Sequence, residues 1–312
     1  MILSVSRRTD IPNYYADWFL NRIDEGFLYV RNPMNPRQIS RIELSPEVVD
    51  CIVFWTKNPA RLMEKLEHLR EYAYYFQFTL TGYGPDIEPN IPDKGEKIIP
   101  AFQELSRRIG KEKVIWRYDP IFINEKYTET YHAEAFQQIA GSLAGYAEKV
   151  VISFVDLYAK TRRNTKGAGV RKLSRDEILR LAAELHRIAQ KYGLEMETCA
   201  EPMELRKLGI SHGSCIDRKL VERIIGCRLT GSKDKNQREA CGCFESVEVG
   251  TYDTCLSGCK YCYANFNHER AEQHVKRYDA KSPLLCGTLG PEDQVTERAV
   301  KSLREKQIGF FD

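Results

Sequence analysis

Short apolar, β-branched and aromatic runs recur along the first 250 residues. Each closes on polar residues. They cover 2–6 (ILSVS), 51–55 (CIVFW), 74–80 (YYFQFTL), 114–120 (VIWRYDP), 150–156 (VVISFVD) and 194–201 (LEMETCAE), with shorter ones from 210 and over 244–252. Their length and content predict strands. Segments of helical spacing lie between them. Asn58 as N-cap and Pro59 in the first turn predict a helix over 58–72. Over 174–193, Ser174 and Glu177 form a capping box. Ile178, Leu181, Leu185, Ile188 and Tyr192 then recur at three- and four-residue steps, and Gly193 ends the run. Asp217 is placed to cap a further helix.

Strand–helix alternation implies a parallel sheet with crossover helices. Eight units favour an α/β fold built as a TIM-like or partial (β/α) barrel, with a C-terminal cysteine-rich cluster-binding segment. The expected organisation is one barrel-like domain over 1–290. It includes a hairpin inserted at about 27–44 and a cysteine-rich segment at about 199–262. A C-terminal surface helix and tail are expected over 291–312, from EDQVTERAVKSLREKQ. With 312 residues the chain can build a large core without staples. No run of about 18 apolar residues predicts a membrane span. The opening MILSVSRRTDIP does not read as a secretory signal, so a cytoplasmic location is expected. A formal charge of +3 permits a nucleic acid partner without indicating one.

Successive predicted strands end in charge. In a barrel such ends meet at one mouth, where active sites lie. Arg7, Arg8, Asp10, Lys57, Arg117, Asp119 and Asp156 are the candidate catalytic residues, with Glu201 in the same region. Arg7, Arg8 and Arg117 suit a carboxylate or phosphate, because the guanidinium fork binds such anions well. Arg117 is the residue expected to hold the anion. Asp119 or Asp156 would orient the reacting fragment.

The chain has 10 cysteines, and only Cys51 lies in the first 198 residues. Clustered cysteines in an intracellular chain point to metal rather than disulfides. The sharpest motif is Cys255-x3-Cys259-x2-Cys262. Three thiolates at this spacing can hold three corners of a [4Fe–4S] cluster and leave one iron open. Gly258 would relax the loop and Lys260 would offset thiolate charge. Structural zinc, with His268 or another cysteine as fourth ligand, is the competing reading.

The motif, with Tyr261 before its last cysteine and YA after it, resembles the radical S-adenosylmethionine (SAM) superfamily. The resemblance implies a [4Fe–4S] cluster on Cys255, Cys259 and Cys262, SAM on the open iron, and Tyr261 packed near the cluster and the adenine. The chain as a whole, through SRRTDIP (6–12), FWTKNP (54–59) and CLSGCKYCYAN (255–265), resembles an uncharacterised bacterial family, a domain of unknown function. That family is distantly similar to spore photoproduct lyase, a radical enzyme of DNA repair. Two departures stand out. The motif follows the eighth predicted strand rather than the first, and no GGE follows the next strand.

Cys199, Cys215, Cys241 and Cys243 form a second candidate set, for another [4Fe–4S] cluster or zinc. Cys227 is the substitute ligand. Cys51 reads as core and Cys286 as structural. His212 and His268 read as loop hydrogen-bonding residues. The segment GSKDKNQREACGC, from 231, reads as a lid or a solvated loop. The expected function is therefore an iron–sulfur redox enzyme, an oxidoreductase or lyase of radical SAM type. It would act on a polar or anionic substrate and draw on an intracellular electron donor. The alternative is a nucleic-acid-binding or repair protein with structural iron–sulfur or zinc centres. Its phosphate contacts would come from the basic stretch 158–172.

Overall fold

A computed structural model describes residues 1–156 and 159–305. Its strands, in chain order, are β1 (Ile2–Val5), β2 (Phe27–Arg31), β3 (Gln38–Glu43), β4 (Cys51–Thr56), β5 (Tyr74–Thr79), β6 (Val114–Ile121), β7 (Lys149–Phe154), β8 (Glu195–Cys199), β9 (Ser211–Gly213), β10 (Val247–Glu248) and β11 (Gln294–Glu297). Eight of them form one sheet in the order β10-β1-β4-β5-β6-β7-β8-β9, with every neighbouring pair parallel. All eight predicted units are in it, and the eighth lies beside the first. Edge strands β9 and β10 are not paired with each other. Between them, Phe244 N–H donates to the Ile216 carbonyl at 3.0 Å. The architecture is an α/β fold with a large parallel sheet, compatible with a partial barrel.

Both faces of the sheet are buried, as parallel sheets require. Alternation along the strands divides the side chains. Ile52, Phe54, Phe76, Phe78, Val114, Trp116, Val150 and Ile152 join the core under helices 99–109, 129–143 and 175–191. Ile2, Cys51, Val53, Tyr75, Ile115 and Val151 face the other way. That face is covered by Cys215, Ile216, Leu229 and Phe244 from the cysteine-rich segment. The capping box holds as expected, with both Ser174–Glu177 bonds made. Asp217 caps helix 218–225.

The expected inserted hairpin is β2–β3, antiparallel. Two helical expectations fail. The helix over 58–72 is broken into 60–63 and a 3-10 turn at 66–69, with only Leu62 and Leu69 buried. Met63, Leu66 and Tyr72 also pack against the core, so the apolar stripe is present; the break falls at Lys65, whose φ of −129° lies outside the helical range. The segment from 292 is not a helix. β11 pairs in parallel with β3, and Arg31 clamps Asp293 at 2.6 and 2.7 Å. A free strand edge with unpaired backbone groups outweighs a weak helical preference. Residues 306–312 of that expected tail, and residue 158 of the basic stretch, lie outside the described residues. Among the described residues no helix is long and apolar enough to cross a membrane.

Candidate metal centre

One cavity of about 650 Å³ opens at the C-terminal ends of the sheet strands. Its wall includes Arg7, Arg8, Asp10, Lys57, Arg117, Asp119, Asp156 and Tyr261, with Cys199, Cys215, Cys241, Cys243, Cys255, Cys259 and Cys262. Strand-end charges and both cysteine sets therefore share one space. Cys51, Cys227, Cys286, Glu201, His212 and His268 are not in the wall. His212 instead bonds Thr198 at 3.1 Å.

The three-cysteine loop is held from several sides. The Asn265 amide donates to the Cys255 carbonyl at 2.6 Å, and Cys262 N–H donates to the Cys259 carbonyl at 3.0 Å. Tyr15 donates to the Thr254 carbonyl at 2.5 Å. Gly258 has φ +68°, and a Cβ there would meet Pro89 at 3.1 Å and Asn90 at 3.2 Å. The turn therefore needs glycine for both conformation and space. Burial raises the Cys255 thiol to about 11, with neighbouring Cys262 and Asp10 adding to the effect. Burial likewise raises Cys259 and Cys262, while Lys57 opposes it. Lys57 is thus the cation beside the sulfurs. Lys260, expected in that role, is exposed, and its backbone N–H bonds Ile87.

Tyr261 is buried beside Tyr83 and Phe122, with ring centroids 5.7 and 6.3 Å away. Its hydroxyl donates to Glu88. Glu88 is 1% exposed and also accepts from Lys57 at 2.7 Å, Thr81 at 2.9 Å and Lys94. Burial works against its charge, but the two lysines outweigh it and hold the carboxyl at about 2. Sequence reading missed both Glu88 and Lys94, since DIEPNIPDK carries no periodicity and resembles a solvated loop.

Several candidates are committed to the protein itself. Asp10 caps helix 11–14 through Asn13 N–H at 3.1 Å and accepts from Lys57 N–H at 2.8 Å. Burial raises it to about 6 against those bonds. Arg8 donates to the Gly250 carbonyl at 3.2 Å and lies over the Tyr252 ring. Asp156 pairs with Arg238, joining the end of β7 to the loop before Cys241. Arg117, expected to hold an anion, is buried and bonds Cys215 Sγ at 3.0 Å, Gln77 at 3.2 Å and Asp119. Asp119 also accepts from Ser153. Among the described residues, two buried polar atoms on the cavity wall have no hydrogen-bond partner, Arg7 Nη2 and Thr9 Oγ1.

The second set is anchored from the sheet. Tyr75 and Gln77 on β5 donate to the Cys215 carbonyl at 2.6 and 2.8 Å. Cys199, at the end of β8, lies 3.0 Å from Cys215, sulfur to sulfur. Cys243 Sγ accepts from Ile216 N–H at 3.4 Å. Among the described residues, no three His, Cys, Asp or Glu side chains are arranged around one metal-ion position.

A family model described as a domain of unknown function, DUF1848, matches residues 2–264. The chain belongs to that family. The DUF1848 match takes in all eight strands of the large sheet and both cysteine sets. No curated protein matches the chain. Beyond the family boundary lie helix 268–275 and β11.

Proposed function

We propose that this DUF1848 protein is an iron–sulfur enzyme. In this reading Cys255, Cys259 and Cys262 hold a [4Fe–4S] cluster whose fourth iron faces the cavity and takes SAM. The observation that carries it is the placement of these three thiols on one cavity wall with separate backbone anchors. They face a volume large enough for a cofactor and a small substrate. When bound, the cluster and SAM supply one-electron radical chemistry. The chain's own residues bind, orient and exclude water. Lys57 offsets thiolate charge. The Glu88–Tyr261 bond fixes the aromatic wall beside the motif. Arg7 Nη2 and Thr9 Oγ1 are free to meet a polar or anionic ligand.

The sheet acts as a partial (β/α) barrel, with the cysteine-rich segment filling the gap between β9 and β10. A cytoplasmic setting, with an intracellular electron donor, keeps these thiols reduced. The nucleic-acid alternative draws less support. In the basic stretch Arg171 is paired with Glu177 at 2.6 and 3.0 Å, and Arg163 stacks on Phe266 at 3.7 Å. Iron and sulfide analysis after anaerobic purification tests the proposal. Alanine at any one of Cys255, Cys259 or Cys262 should lower both together. Unchanged content after all three replacements would refute it.

A further inference from the structure

We propose that Cys199, Cys215, Cys241 and Cys243 hold a second [4Fe–4S] cluster, facing the first across the same cavity. This goes beyond the three-cysteine reading and uses none of its ligands. Four observations carry it.

The four cysteines come from three separate places: the end of β8, the loop after β9, and the loop before β10. They nevertheless converge: Cys199 and Cys215 lie 3.0 Å apart, sulfur to sulfur, and Cys241 and Cys243 border the same cavity. All four also line the cavity, at the point where the buried cluster around Cys215, Cys241 and Cys243 meets it. An ordinary buried cysteine packs as a small apolar side chain.

One guanidinium lies against these sulfurs: Arg117 donates to Cys215 Sγ at 3.0 Å. A buried arginine needs an anionic partner. Asp119 serves one side of Arg117, and the sulfurs serve the other. Four thiolates around an iron–sulfur core carry net negative charge, which suits the sulfur-facing side of Arg117.

The local backbone is also built for the purpose. Tyr75 and Gln77 both spend their side chains on the Cys215 carbonyl. Ile216 N–H points at Cys243 Sγ, 3.4 Å away, and Ser214 Oγ donates to the Gly242 carbonyl at 2.7 Å. Amide hydrogen bonds to sulfur are among the features that tune such clusters.

A four-iron cubane is bulkier than a single zinc ion. The four cysteines border a cavity of about 650 Å³, which has room for that bulk.

The test uses the full chain, purified anaerobically and reconstituted with ferrous iron and sulfide. Mössbauer spectra and iron, sulfide and zinc assays are recorded for wild type and for the variant Cys255→Ala/Cys259→Ala/Cys262→Ala. About eight iron and eight sulfide are expected in wild type and about four of each in the variant, as two four-iron clusters demand. A folded variant with no iron would overturn the proposal, and so would one zinc without sulfide. If that variant does not fold, Cys199→Ala/Cys215→Ala/Cys241→Ala/Cys243→Ala decides, with a loss of about four iron from wild type supporting and no loss overturning. About four iron in both wild type and folded variant would sink the three-cysteine reading while leaving this one standing.

Discussion

Replacing Glu88 with glutamine removes the charge that two buried lysines share while preserving the shape of the side chain. Glu88 is 1% exposed, and Lys57 and Lys94 are 14% and 21% exposed, so solvent screens the cluster poorly. A carboxyl held at about 2 rather than 4.5 corresponds to roughly 3 kcal/mol of stabilisation at neutral pH. Breaking a buried ion pair on one side independently suggests about 3–5 kcal/mol. Because the folded pKa lies below the unfolded one, the contribution is complete above about pH 4.5. It fades as pH falls through about 2. Anaerobic urea denaturation followed by tryptophan fluorescence, with equal cofactor loading, gives the difference between wild type and Glu88→Gln. The expected gap is about 3 kcal/mol at pH 7, narrowing below pH 4.5. A gap under about 0.5 kcal/mol at pH 7 would mean that the lysines are stabilised elsewhere and that Glu88 does not hold this cluster together.

Three further outcomes are expected. Asp10 is shifted the opposite way, to about 6 from 3.8, so its ionisation costs folding stability as pH rises through that window. The stability of Asp10→Asn relative to wild type should therefore rise by about 3 kcal/mol between pH 3.5 and 6.5, and a flat difference in the same urea assay would contradict this. A Cβ on Gly250 would fall 1.7 Å from Ser6 Oγ and 2.5 Å from Ser6 Cβ. Gly250→Ala should lose about 2–3 kcal/mol, and adding Ser6→Gly should recover part of it, since both clashing atoms leave; denaturation midpoints check both. Ser174→Ala removes one half of the capping box far from the cavity. It should cost about 1 kcal/mol in denaturation and leave iron content unchanged.

The sheet was legible because its signals are local. Strands β1, β4, β5, β6 and β7 each carry a dense apolar run, and both faces of the sheet are buried, so tertiary context reinforced the pattern. The strand-end rule then brought Arg7, Arg117 and Asp156 to one mouth without any distance information. Roles were less legible than positions. Arg117 looked free for an anion, but its neighbours Cys215 and Gln77 lie about 98 and 40 residues away, and only the fold shows that they occupy it. Glu88 was missed for the same reason. Its partners Lys57 and Tyr261 are supplied by distant segments, and a lone glutamate among prolines gives no sign of burial. β11 escaped because all four of its residues are exposed, leaving no alternation to read.

Electron paramagnetic resonance reports whether one iron of the cluster is open to SAM. The anaerobic, dithionite-reduced protein should show a [4Fe–4S] signal whose line shape changes when SAM is added. In the Cys255→Ala/Cys259→Ala/Cys262→Ala variant any remaining signal should be indifferent to SAM. A wild-type spectrum that does not change with saturating SAM would contradict an iron open to this cavity.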